Sequence, residues 1–189
     1  MSQLMYQSSA AMFLHHLKNL SAILKKAEKD AKARGIEESI IINGRLAPDM
    51  LPLSSQVQMV CDQAKGCCGR LTDTKTPAFE DNEASFADLQ ARIKKTTAFV
   101  RTIKKSAYAG SEDRDVTMDL PFGKIGFKGA DYLNGWVLPN FYFHYSTTYT
   151  ILRHNGLQIG KIDFLGMAPG MTMTAQVAKR LGIKPKSGK

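Results

Sequence analysis

Between Leu53 and Leu71 the apolar side chains fall at Leu53, Val57, Val60, Ala64, Cys67 and Leu71, in steps of four and three without an error. That spacing follows the 3.6-residue period of an α-helix and fits no strand. A helix with one apolar face must bury it, and the chain holds three more helices with the same need. Met5, Met12, Leu17, Leu20, Ile23 and Leu24 mark one, over residues 5–34. Phe86, Leu89, Ile93, Thr96, Val100 and Ile103 mark another, with Ser85 as its N-cap and Asp88 near its positive end. Leu133, Val137, Phe141, Thr148 and Ile151 mark the last, over residues 130–154, closed by Asn155-Gly156.

The segments between them are informative too. Gly35-Ile36 reads as a glycine cap followed by a hydrophobic contact. Residues 36–53 contain Pro48 and Pro52, which exclude a continuous helix. So long a crossover frees the first two helices from being antiparallel neighbours. Residues 72–84 form a polar loop. Val116–Leu120 and Ile125–Phe127 flank Pro121-Phe122-Gly123-Lys124 and predict a short β-hairpin. A lone hairpin is marginal, so it must pack on the helices or on a partner chain. Pro139 lies inside the fourth helix, frees the carbonyl of Gly135 and predicts a kink just before Asn140.

Length and charge bound the rest. At 189 residues the chain makes one domain, residues 1–166, with a basic tail over 167–189. A short helix is expected at 174–181, followed by a disordered lysine-rich end. No apolar run reaches the ~20 residues that span a bilayer. The N-terminus has neither the basic nor the apolar region of a signal peptide, so the expected location is the cytoplasm, with no membrane partner. Net charge is +9, but Lys179, Arg180, Lys184, Lys186 and Lys189 concentrate much of it in the tail. The rest lies on mixed-sign helix faces, and no aromatic-and-basic platform appears, so no nucleic-acid role is expected. Cys61, Cys67 and Cys68 match no zinc spacing and read as small core residues.

Polar residues on faces that ought to be buried mark a candidate site. Asn140 and His144 lie one turn apart in or beside the apolar stripe of the fourth helix. Gln56 and Gln63 form a polar line beside the stripe of the second. Such groups need partners, so they make either a hydrogen-bonded core feature or a site. His15 and His16 have no evident carboxylate or cysteine partner in sequence and read as surface or core-edge residues. His154, about 80° around the helix from His144, belongs to the helix end.

Several segments together resemble a family. They are Leu46-Ala-Pro-Asp-Met-Leu-Pro-Leu53, Gln56-Val-Gln58, Asp62-Gln-Ala-Lys-Gly66, Phe79-Glu-Asp81, Pro139-Asn-Phe-Tyr-Phe-His144, Ile151-Leu-Arg-His-Asn-Gly156 and Gly160-Lys-Ile-Asp-Phe-Leu-Gly166. In this order, over residues 1–167, they resemble the bacterial domain of unknown function nineteen ninety-three, a branch of the DinB/YfiT-like superfamily of metal-dependent proteins. The resemblance implies an all-α fold: a four-helix bundle with a long first crossover and, here, a small β-hairpin between helices three and four. It also implies a homodimer and a divalent-metal site, zinc or nickel, held by one histidine on the second helix and two on the fourth. Relatives in that superfamily include transferases and isomerases that use low-molecular-weight thiols.

On this chain the three implied metal positions fall at Gln63 (or its neighbour Asp62), Asn140 and His144. One imidazole and two carboxamides replace three imidazoles, which lowers affinity for zinc or nickel by orders of magnitude. Three readings follow. His144 acts as a general base or sole strong ligand in a degenerate metal or small-molecule site, with Asn140 and Gln63 orienting the bound group. Alternatively the chain is a non-catalytic, dimeric binding protein, as the rings of Trp136, Phe141, Tyr142, Phe143, Tyr145 and Tyr149 on several faces of one helix suggest. Or the three polar residues form a satisfied internal network that fixes helix register.

Overall fold

The computed structural model describes residues 2–121 and 123–181. The lysine-rich end expected beyond the tail helix lies outside the described residues. Helix α1 comprises Ser2–Tyr6, a π-helical turn Gln7–Ala11 and Met12–Ala33, joined through right-handed helical dihedrals. A short α2, Glu38–Ile42, occupies the apolar run of the crossover. Helix α3 spans Leu53–Thr72 and α4 spans Phe86–Thr102. Strands β1 (Asp115–Leu120) and β2 (Gly123–Lys128) pair antiparallel, with Met118 opposite Ile125. Helix α5 comprises Gly129–Asp131, a π-helical turn Tyr132–Val137 and Leu138–His154. Two short helices follow, α6 (Lys161–Leu165) and α7 (Ala175–Arg180). The chain is mostly helical with one small hairpin.

Local signals place the ends. Ser85 accepts from the Asp88 backbone N–H at 3.1 Å, and the Asp88 carboxylate accepts from the Ala84 N–H and the Ser85 hydroxyl. Gly35 caps α1 at φ 63°, where a Cβ would be strained. A π-helical turn, Tyr132–Val137, precedes Pro139. The α-helix resumes at Leu138, so the proline sits in a first turn, where its missing N–H costs little.

The long helices pack in the cyclic order α1–α4–α3–α5. Their directions follow from paired side chains. Ser21 and Gln90 exchange two hydrogen bonds, and the end of α1 lies near the start of α4, so these two run antiparallel. His16 meets Tyr142 and Arg34 meets the Asn155 carbonyl, so α1 and α5 run parallel. Gln56 meets His144 and Arg70 meets Tyr132, so α3 and α5 run antiparallel. Helices α3 and α4 run parallel, because both start beside the crossover: Leu53 N–H bonds the Gly44 carbonyl and Phe86 N–H bonds Glu38.

Parallel neighbours require the segment 73–85 to run back along the helices, and Arg92 holds it there. This α4 arginine is 1% exposed. Its guanidinium reaches Asp62 on α3 at 2.9 Å, Asp81 at 2.8 Å and Glu83 at 2.9 Å, and donates to the Glu80 carbonyl at 3.1 Å. Lys65 also pairs with Asp62 and lies over the Phe79 ring. Burial raises the Glu83 carboxyl, but hydrogen bonds from Gln58 and Arg92 outweigh it and hold the group below its usual range. Gly69 supplies the clearance, since a Cβ there would meet Thr76 Oγ1 at 2.1 Å. The sequence stripe of α3 predicted one buried face. The return segment covers further sides, and Gln58, Lys65 and Gly69 are buried with it.

Most of the aromatic set on α5 is consumed internally. Trp136 packs on Phe127 of the hairpin, Tyr142 and Tyr145 on His16, and Tyr149 on Phe164. Phe143 is the exception, at 57% exposure. Among the described residues no helix is long and apolar enough to cross a membrane.

Arg92→Met removes the head group and leaves Asp81 and Glu83 without their cation and Asp62 with Lys65 alone. Urea denaturation should show a loss of about 3–5 kcal/mol, the range for breaking a buried ion pair. A loss below about 1 kcal/mol would contradict the role given to this residue.

Candidate functional site

His144 projects from α5 toward α3 and is buried. Its Nδ1 lies 2.8 Å from Gln56 Oε1. The Gln56 amide is oriented from its other end, where Nε2 donates to the Leu51 carbonyl at 3.1 Å. A carbonyl only accepts, so the amide nitrogen faces Leu51 and the amide oxygen faces the imidazole. That oxygen needs a donor, so Nδ1 carries the proton. Burial lowers the His144 pKa and favours the neutral ring. The lone pair then resides on Nε2. This atom has no hydrogen bond among the described residues and is not among the unpartnered atoms sealed from solvent. A ring fixed through Nδ1 with an open Nε2 is the arrangement used by bases and by metal-ligating histidines.

The other residues singled out in the sequence surround this pair without converging on it. Asn140 is half-buried, one turn before His144, and donates from Nδ2 to the Trp136 carbonyl of its own helix at 2.7 Å. Gln63 is half-buried and makes no side-chain hydrogen bond among the described residues. It lies seven residues beyond Gln56 on α3, about 10.5 Å along the axis. With Gln56 opposite His144 in an antiparallel pair, Gln63 comes opposite the region of Val137 and nearer Asn140. Asp62 is committed to Arg92 and Lys65. His154 is exposed at the end of α5.

Sequence reasoning placed Gln56 beside the stripe but did not pair it with His144. The available signal was its position on the same polar line as Gln63. It also placed His16 at the surface or core edge, whereas His16 is buried among Phe141, Tyr142 and Tyr145. Burial, aided by the neighbouring His15, lowers its pKa to about 4. Its Nε2 meets the Tyr142 hydroxyl at 3.1 Å, and its Nδ1 is sealed without a partner. The three cysteines are buried, and burial pushes Cys61 and Cys68 up to about 12, which keeps those thiols protonated.

The family model described as Domain of unknown function (DUF1993) matches residues 5–165. The chain belongs to the DUF1993 family. It is also similar to a DinB family member protein from Shewanella denitrificans, solved by crystallography at 1.83 Å resolution. The two are 32% identical, the match covers 91% of this chain and 97% of that one, and the TM-score is 0.84. No curated protein matches it significantly. The DUF1993 chain therefore has a DinB-like fold.

The donor chemistry tests whether the divalent metal implied by the superfamily fits. Catalytic zinc takes three strong ligands and one open position. The face around His144 offers one imidazole and the carboxamides of Asn140 and Gln63, which are weak ligands. Among the described residues no group of three or more His, Cys, Asp or Glu is placed to hold a metal ion. A firmly held zinc or nickel ion does not fit this donor set.

Gln56→Glu places a carboxylate against Nδ1 and favours the imidazolium. NMR titration should show the His144 pKa, which burial lowers, shifting upward in the variant. No upward shift would contradict the Gln56 contact.

Proposed function

We propose that this DUF1993 protein is a four-helix bundle of the DinB/YfiT-like type with a degenerate small-molecule site on its α3–α5 face. His144 is its centre. Nε2 accepts a hydrogen bond or a proton from the bound molecule, and the Gln56 oxygen, accepting from Nδ1–H, stabilises the positive charge that then develops on the ring without taking the proton. Asn140, through its amide oxygen, and Gln63 orient the ligand. The observation that carries this reading is the fixed tautomer. His16 also has one ring nitrogen bonded and one without a partner, but its free nitrogen is sealed in the core, whereas Nε2 of His144 is not. Chemistry of this kind needs no resident metal, because a neutral imidazole moves protons by itself. The DinB-like relatives that use low-molecular-weight thiols suggest the first class of ligand to try.

A second reading rests on Phe143. This ring is exposed beside His144, and an apolar side chain there is suited to cover by a second copy of the chain. On that reading the polar residues fix register and the face is a homodimer interface.

Calorimetric titration with small thiols, and separately with zinc, nickel and manganese, distinguishes these. The proposal expects thiol binding that His144→Ala removes, and no metal held tighter than the micromolar range. Nanomolar metal affinity, or thiol binding indifferent to His144→Ala, would contradict it. Sedimentation of the same samples tests the dimer, and a strict monomer counts against the second reading.

A further inference from the structure

An open groove of about 630 Å³ runs between α1 and α4, on the side of the molecule away from His144. Leu14 and the small residues Ala91 and Ala98 contribute its apolar surface. Lys18 and Lys25 stand on the α1 rim, and Lys94 and Arg101 on the α4 rim. All four are exposed. None pairs with a carboxylate among the described residues, and no carboxylate lines the groove. The acids nearest the end of α1, Glu28 and Asp30, are committed to Lys32 and Arg34.

The four cations form a regular ladder. On each helix the two are seven residues apart, which is two turns or about 10.5 Å on one face. The Ser21–Gln90 hydrogen bonds fix the antiparallel register. In that register Lys94 comes beside Lys18, Arg101 lies about two turns to one side and Lys25 about two turns to the other. Positive charge therefore recurs at three levels across roughly 21 Å, flanking an apolar floor.

We propose that this groove docks an amphipathic helix of a partner protein, with small apolar residues facing inward and carboxylates at seven-residue spacing on its flanks. Charge complementarity selects this occupant. A second copy using the same groove would set cations against cations. The chain's own C-terminal segment, with Lys179, Arg180, Lys184, Lys186 and Lys189 and no acid from residue 175 onward, is repelled in the same way. A fatty acid carries one charged end and would need cations gathered at one end of an apolar slot. A nucleic acid strand would answer the charges but would leave the apolar floor uncovered.

The test uses the full chain and a labelled three-heptad synthetic helix with leucine and alanine on one face and glutamate on both flanks. Fluorescence anisotropy should show binding that weakens with salt and falls about ten-fold or more in the double variant Lys18→Glu, Lys94→Glu. Both positions are exposed, so the variant should melt like the parent. His144→Ala should leave this binding intact, which separates the result from the fate of the α3–α5 site. Equal binding of a peptide with glutamine in place of glutamate, or binding indifferent to the double variant, would overturn the proposal. So would displacement of the peptide by palmitate or by a single-stranded oligonucleotide.

Discussion

The Arg92 guanidinium is the contact on which the arrangement of the long helices rests. One planar cation, withdrawn from water, ties α4 to Asp62 of α3 and to Asp81 and Glu83 of the returning segment. Without that tie the segment 73–85 has little apolar surface to hold it against the helices. With it, α3 and α4 run parallel and α3 is covered on several sides. Guanidinium geometry matters here, because its donors are spread in a plane and can serve several acceptors at once, which a lysine ammonium cannot reproduce.

The site follows from that framework. Once α3 is set by Arg92 and the crossover by Leu53 and Gly44, the Leu51 carbonyl has a fixed place at the start of α3. It orients the Gln56 amide, and the amide in turn selects the protonated nitrogen of His144. A short chain of three polar groups thus converts helix register into a statement about protonation. The α5 side contributes the wide turn Tyr132–Val137, which precedes Pro139 and lets the helix continue toward Asn140 and His144.

The helices, their caps and the hairpin were legible in the sequence because each rests on local periodicity or on a single special residue, such as Ser85 or Gly35. The DinB-like character was legible in the ordered segments from Leu46 to Gly166. The partner of His144 was not. Gln56 and Gln63 lie on one polar line of α3, and which of them meets α5 depends on how far the two helices slide past one another. No local pattern encodes that. Arg92 was invisible for a related reason: an arginine on a helix reads as a surface residue until three carboxylates from elsewhere are brought to it. His16 was misplaced because Tyr142 and Tyr145, which bury it, lie more than a hundred residues away. The π-helical turn Tyr132–Val137 ahead of Pro139 was not foreseen.

His144 is held neutral with its proton on Nδ1 and its lone pair on Nε2. Long-range proton–nitrogen correlation NMR on protein with labelled histidine reads this directly at neutral pH. His144 should show a pyrrole-type Nδ1 and a pyridine-type Nε2. The opposite tautomer, or a doubly protonated ring, would contradict it.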